Sequence, residues 1–455
     1  MGGQRVNRSA VWGLGSACLV LILVGLLYLA TLDNGLRPGE LTGGDLITHQ
    51  YAQVLARPSN APGYPLYTLG GWAWFHALRA VMPQANPISL LGSFSTLWAL
   101  LALAVLFVLL AQITARHWLL TSLVTLLYAV SYFFWYYAVT TEQYTSAVLQ
   151  TLLFVWLAWT WDARQAESTP PTKPHRLSAD HILLLMALLT GIALAHLVTV
   201  LAILPPLVWF VLSRQPGLLR QPRRLLILLI VTLLPLLSYL FIYVRGAQHP
   251  EWRGAGEWAS TWDWFWSFVS TGQGRSELTW ALRPLWTAEW PALLWRELTV
   301  VGTVVGVYGW IRLGRRGVLL AAASTIYVLF SFVDRLGNWY QVVMPVYAML
   351  ALGIGATADA VWRWAAAGTL GNTRRPALVR GLLVVTLAGL IVFQLAQNFP
   401  RADQSNRPDD RALLPGWAVL ASDPPAGAGE LSVTVMLVRA PTGRITGESD
   451  RPSTD

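Results

Sequence analysis

The chain has 455 residues, of which 55% are hydrophobic and 12% charged, with a mean hydropathy of +0.49 and a formal net charge of +9. Soluble chains carry roughly a quarter charged residues, so this composition excludes an ordinary soluble protein and calls for a bilayer around its long apolar runs. Nucleic-acid binding is excluded as the reason for the positive charge, because Lys and Arg fall in short connectors between apolar runs, as in the cytoplasmic loops of membrane proteins.

Arg5 and Arg8 precede the first apolar run, Ala10 to Thr31. That run is too long for the core of a cleaved signal peptide and reads as a retained signal-anchor helix with a cytoplasmic N-terminus. Cys18, the only cysteine, lies within it, which leaves neither a disulfide framework nor a cysteine metal site. The loop that follows, about residues 32–87, is then external. It holds Asp33, Glu40, Asp45, His49, Arg37, Arg57 and the rigid run Ala61-Pro62-Gly63-Tyr64-Pro65. Tyr64 to Met82 is apolar but interrupted by Gly70, Gly71, His76 and Arg79, as suits an interfacial helix.

Ile88–Thr114, Trp118–Val139 and Tyr144–Trp161 then cross inward, outward and inward, with the external connector Thr140-Thr141-Glu142-Gln143 between the last two. Asp162–His181 is a polar cytoplasmic linker. Ile182–Leu212 is too long for one span and suits a short helix pair breaking near His196. Arg214, Arg220, Arg223 and Arg224 mark the next cytoplasmic loop, and Leu225–Val244 crosses outward. A second external segment, about residues 245–297, is rich in Trp and reads as a loop on the membrane surface. The 24 Trp of the chain fit interfacial belts in general. Leu298–Ile311, Val318–Val333, Gln341–Val361 and Gly381–Gln397 complete the crossings. The expected architecture is an all-α polytopic bundle of about 11 transmembrane helices. Residues 1–397 form the membrane domain and 398–455 a short external tail, partly disordered, with a strand-like run Leu431–Val438. Every arginine cluster between spans falls on the cytoplasmic side in this threading, which puts the C-terminus outside.

The external carboxylates are the candidates for chemistry. A carboxylate just outside a membrane helix can serve as general base on a hydroxyl, or hold a divalent cation against a phosphate leaving group. Asp45 follows Gly43-Gly44 and heads a short helix over Leu46–Leu55, a position equally suited to an N-cap. Glu40 sits in a turn after Pro38-Gly39, where a solvated loop acid is the plainer reading. Glu142, alone in its tight connector, is held at the membrane surface, where a charge without a role is costly. His196 lies in an apolar run and is either functional or a helix-to-helix hydrogen-bonding group. Asp334, Arg335 and Tyr340, with Asn338, form another polar knot at an outer helix end, suited to a lipid phosphate or to plain solvation.

Four motifs in this order resemble a known family. An acidic residue followed by Pro62-Gly63-Tyr64-Pro65-Leu66-Tyr67 resembles its acid and His-Pro-Pro-Gly-Tyr-Pro-Leu-Tyr hallmark. Thr141-Glu142-Gln143-Tyr144 resembles its Glu-Val-Tyr segment, and Leu189–Thr199 its Gly-Leu-x-x-x-His-x-x-Thr helix. Trp262–Gly274 resembles its external Phe and Gly-Gln segment. This is the family catalogued as a domain of unknown function related to protein O-mannosyltransferases, among the GT-C membrane glycosyltransferases. The chain departs from the pattern at Asn60-Ala61-Pro62, where the usual histidine is missing.

The resemblance implies a GT-C fold and an inverting, mannosyltransferase-like activity on the non-cytoplasmic face of a membrane, the plasma membrane of a prokaryote. The donor would be a polyprenyl-phosphate-linked sugar and the acceptor a hydroxyl on protein, glycan or lipid. Asp45 and Glu142 are then the expected catalytic residues, with Asp45 also the expected ligand for Mg or Mn. His196, Glu40, His49, Tyr64, Tyr144, Asp334, Arg335 and Tyr340 are the expected substrate-binding residues. Two other readings are a transporter or flippase of a lipid-linked substrate and a non-catalytic scaffold. The first is disfavoured by the scarcity of charge in mid-span; the second rests on the missing histidine.

Overall fold

The computed structural model of the chain describes residues 8–35, 45–166, 177–254, 257–271, 297–333, 339–367 and 374–405. Among them the secondary structure is helical, with no strand. The helices are α1 (Arg8–Ala30), α2 (Asp45–Leu55), α3 (Pro65–Val81), α4 (Pro87–Ile113), α5 (Trp118–Ala129), α6 (Tyr132–Ala138), α7 (Tyr144–Ala166), α8 (Ala179–His196), α9 (Leu204–Leu212) and α10 (Pro222–Leu233). There follow α11 (Tyr239–Gln248), α12 (Thr261–Val269), α13 (Thr299–Arg312), α14 (Arg315–Val333), α15 (Trp339–Val342), α16 (Met344–Ala366) and α17 (Arg374–Ala402). The strand-like run 431–438 lies outside the described residues.

Local chemistry sets several of the ends. Asn86 accepts from the Ile88 amide at 2.9 Å and Pro87 fills the first turn, so α4 starts there. Ser178 does the same for α8 by accepting from the His181 amide. In the centre lies α16, with 94% of its apolar window buried, whereas the stretch Pro222–Gln248 is only 6% buried and faces outward. Where α13 crosses α16 the backbones touch. A Cβ on Gly309 would run into the carbonyl of Gly353, the close approach that small residues permit between membrane helices.

Among the described residues, six helical stretches are long and apolar enough to cross a membrane: Val11–Ala30, Pro87–Ile113, Ala179–His196, Pro222–Gln248, Tyr340–Ala366 and Pro376–Ala402. The protein is therefore an integral membrane protein. The expected Trp118–Val139 crossing is instead a pair of helices, α5 and α6, bent by 74° at Val130-Ser131, and counting it as one span gives seven. The stretch Ile182–Leu212 breaks at His196 as expected, passing through a 3-10 segment, Val198–Ile203, before α9. α13 is only 14 residues long. Tryptophan is not confined to the interface: Trp135, Trp159, Trp161 and Trp264 are fully buried between helices.

The residues just after α17 dock on those just after α1. α17 runs on to Ala402, five residues past the expected Gln397. The Gln404 amide donates to the Thr31 carbonyl at 3.0 Å, and the Asn34 side-chain amide donates to the Ser405 carbonyl. Asn398 donates to the Val130 carbonyl at 2.9 Å, filling the gap that the α5–α6 bend leaves in the helical ladder.

Candidate active site

The site forms where the N-terminal ends of α4 and α7 meet the C-terminal end of α8, under α2 and α3. The connector 139–143 makes too tight a turn to pair all its own carbonyls, and hydroxyls within α4 do so instead. Ser95 donates to the Glu142 carbonyl at 2.7 Å and accepts the Glu142 amide at 3.0 Å. Thr96 donates to the Ala138 carbonyl at 2.7 Å, and Thr145 donates to the Ser95 carbonyl at 3.1 Å. Unpaired carbonyls at this depth are costly, so these otherwise odd hydroxyls in an apolar helix fix the backbone of Glu142.

α2 lies across this turn and buries His49, Gln50 and Gln53. Gln50 donates to Thr141 Oγ1 at 3.4 Å. The C-terminal carbonyls of α2 are met from far along the chain: Arg245 donates to Leu55 O at 2.9 Å and Ala56 O at 2.8 Å, with its guanidinium over the Trp252 ring. The chain then turns through a cis Ala61–Pro62 bond, Gly63 at φ 96° and Tyr64 at φ 40°, and Pro65 opens α3. Gly63 suits this place for two reasons. Its backbone is left-handed, and an added Cβ would lie 2.8 Å from Ile242 Cδ1 and 2.9 Å from Phe268 Cε1.

His49 Nδ1 shares a hydrogen with Ser59 Oγ at 2.9 Å, and its Nε2 lies 3.9 Å from Glu142 Oε2. Burial pushes the His49 imidazole down to about 4, so at neutral pH it is uncharged. Glu142 therefore faces a dipolar ring and not a cation. His196, the last residue of α8, is held by Ser146 Oγ at 2.6 Å from its Nε2. Tyr67 bridges the two histidines, its ring centroid 5.5 Å from His49 and 5.4 Å from His196, and Trp98 covers the other side of His196 at 5.6 Å. Burial, with the charge of Glu142 second, pushes the Tyr67 phenol up, so it stays protonated.

Of the residues expected from sequence, Glu142, His49, His196 and Tyr64 converge here, the Tyr64 ring lying 5.8 Å from His49. Asp45 is the first residue of α2, one turn before His49. Tyr144 opens α7 and packs on Tyr137 at 5.0 Å; Tyr340 stacks on Phe133 at 5.0 Å, and its neighbour Gln341 donates to the Tyr137 hydroxyl at 2.8 Å. An aromatic seam thus leads from Glu142 towards the start of α16. Glu40, Asp334 and Arg335 lie outside the described residues. Ser59, Tyr67, Ser95, Trp98 and Ser146 were not expected. The sequence signal for Ser95 and Ser146 is a cluster of hydroxyls at the head of apolar helices, as in Ser93-Phe94-Ser95-Thr96 and Thr145-Ser146, and Tyr67 closes the Pro62–Tyr67 motif.

Two other buried carboxylates serve the frame. Asp33 accepts from the Gly35 amide at 3.2 Å, and its own amide donates to Val139 O at 3.0 Å. Glu297 accepts from the Phe133 amide at 2.8 Å and so holds the start of α6. Among the described residues, no three of His, Cys, Asp and Glu converge as metal ligands.

Residues 44–219 match the family model for the N-terminal domain of protein O-mannosyl-transferase TMEM260. Asp45, His49, Tyr67, Glu142 and His196 all fall inside that match. No curated protein matches the chain. The fold is similar to that of ArnT from Cupriavidus metallidurans in its apo state, with a TM-score of 0.54, 13% identity, and coverage of 94% of this chain and 76% of ArnT. The same protein bound to undecaprenyl phosphate gives a TM-score of 0.53 at 14% identity, covering 95% and 76%. Residues 44–219 are thus similar to the N-terminal domain of a protein O-mannosyl-transferase, and the chain shares the fold of the ArnT structures.

Proposed function

We propose that the protein transfers a sugar from a polyprenyl-phosphate carrier to a hydroxyl acceptor at the cluster around Glu142. The observation that carries this reading is the convergence of Glu142, His49 and His196 around Tyr67, one turn from Asp45, within the family-matched segment. Asp45 is the proposed base. It takes the proton of the acceptor hydroxyl as the new C–O bond forms at the anomeric carbon. The bond to phosphate breaks on the opposite face, the configuration inverts, and polyprenyl phosphate leaves. Glu142 and the neutral His49 orient the acceptor, with the carboxylate accepting a hydroxyl proton and the imidazole offering a dipole without charge. The ArnT structure bound to undecaprenyl phosphate supports a lipid-phosphate donor by analogy of fold. Mannose as the sugar rests on the family description. The acceptor is proposed as a protein hydroxyl, with glycan and lipid hydroxyls as the other arms of the test. The arginine-bearing connectors support a site on the non-cytoplasmic side of a prokaryotic plasma membrane.

The described donors, Glu142 and His49, fall short of a metal site on their own, so no step is drawn through a metal. The test is to incubate the purified protein with a panel of polyprenyl-phosphate sugars, with and without Mg²⁺ or Mn²⁺, and measure transfer or slow donor hydrolysis. Activity that Asp45→Asn abolishes while the protein still purifies supports the reading. Full activity in Asp45→Asn removes Asp45 as the base. Dependence on added metal would make Asp45 a metal ligand as well.

A further inference from the structure

At the end of the bundle remote from Glu142 lies an apolar groove of about 290 Å³ between α8, α9, α10 and the 3-10 turn Pro216–Arg220. Its walls include Met186, Leu207, Val211, Leu218, Leu225 and Leu228. The one hydroxyl among the lining groups, Thr190, is already spent on the Met186 carbonyl at 2.9 Å. The groove therefore offers nothing to a polar ligand. Its lip is open, with Val208 53% and Leu219 63% exposed. The volume is roughly twice that of a dry apolar cavity of ~150 Å³ that holds benzene, so it takes on the order of a dozen carbons of chain.

The rim at the connector end is cationic. Arg220 and Arg224 are the immediate neighbours of the lining residues Leu219 and Leu225, and Arg214 and Arg223 lie two residues from the lining residues Leu212 and Leu225. Arg214 donates to Asp162 at 3.0 Å, an acceptor it shares with Arg315, and Arg224 pairs with Asp180. Arg220 and Arg223 are exposed, and among the described residues neither meets a carboxylate. An open apolar slot flanked in the chain by two exposed arginines without a carboxylate partner is complementary to an acyl chain carrying a phosphate.

We propose that this groove is a binding site for an anionic glycerophospholipid, with one acyl chain in the slot and the headgroup phosphate on Arg220 and Arg223. The site lies away from the cluster around Glu142. Asp162, at the rim, is 20 residues along α7 from Glu142, about 30 Å at 1.5 Å per residue. Lipid bound there anchors α8 from the end opposite His196.

The test is native mass spectrometry of the delipidated full-length protein, titrated with phosphatidylglycerol, phosphatidylcholine or undecaprenyl phosphate. One phosphatidylglycerol should be retained at least tenfold more tightly than phosphatidylcholine. The double variant Arg220→Gln/Arg223→Gln should weaken that retention roughly 30-fold. Ala187→Phe, which puts a ring into the slot without removing any arginine, should weaken both phospholipids. Equal retention of the two phospholipids, or retention unmoved by either variant, overturns the proposal. So does one-for-one displacement by equimolar undecaprenyl phosphate, which would give the groove to the donor instead. Lipid retention, not turnover, is the readout, so the outcome stands whatever the fate of the transferase assignment.

Discussion

Nε2 of His49 on α2 lies 3.9 Å from Oε2 of Glu142 at the head of α7. The contact joins the opening loop to the membrane bundle through a carboxylate and an imidazole that burial keeps neutral. A buried carboxylate in this setting is placed to accept a hydrogen bond from the acceptor hydroxyl and so to orient it. Glu142→Gln preserves the shape and the Ser95 contacts, which involve only the backbone of residue 142. It should cut kcat by about 10²-fold through lost orientation with unchanged thermal stability. A variant retaining a tenth or more of wild-type turnover would show that the carboxylate is not needed for chemistry.

The His49 ring also predicts a pH response with a definite sign. Its native value of about 4 lies below the ordinary 6.5, so below pH 6.5 the opened state binds a proton that the closed state refuses. Stability of the α2 segment should therefore be full above pH 6.5 and fall as pH drops towards 4, by about 1.4 kcal/mol per pH unit. Amide exchange of Asp45–Leu55 across pH 4 to 7 measures this, after correction for intrinsic rates. His49→Gln should flatten the dependence; an unchanged slope would assign it to another group.

Arg245 on α11 closes the C-terminal end of α2. Arg245→Met removes the two donors to Leu55 and Ala56 together with the guanidinium over Trp252. The loss should destabilise α2 by about 1–3 kcal/mol, visible as faster exchange confined to α2. Because Asp45 and His49 ride on that helix, KM for the acceptor should rise with it. Loss of protection spread evenly over α4 and α7 would contradict so local a role.

Gly63→Ala strains a left-handed backbone and drives a methyl into Ile242 and Phe268. A cost on the order of 2 kcal/mol is expected, read as a fall in melting temperature. Ala61→Gly, at a half-buried neighbour, should cost less than half of that.

Much of this was legible in the chain. Each apolar run expected to enter the membrane is helical at the described residues, and the break at His196 could be seen because 31 apolar residues suit neither one span nor a comfortable two. Glu142 stood out because a lone acid in a four-residue connector has few places to go. The bend at Val130-Ser131 was not legible, since Trp118–Val139 has the composition of an unbroken span. What breaks it is tertiary: Asn398 supplies a donor to Val130 and Glu297 an acceptor to Phe133. The supporting hydroxyls escaped for the same reason. Ser95 and Ser146 matter through the carbonyl and the imidazole they meet, and neither partner is near in sequence.

The docking of Gln404 and Ser405 on Thr31 and Asn34 closes the membrane domain into a ring, with residues 371 apart in sequence sharing one hydrogen bond. The two ends of the bundle are consequently folded as one piece. During synthesis the strap after α1 that carries Asp33 waits for almost the whole chain before its last partners arrive. A ribosome-bound or truncated chain ending before Phe399 holds every residue of the cluster around Glu142, yet lacks the clasp that seats the opening loop above it.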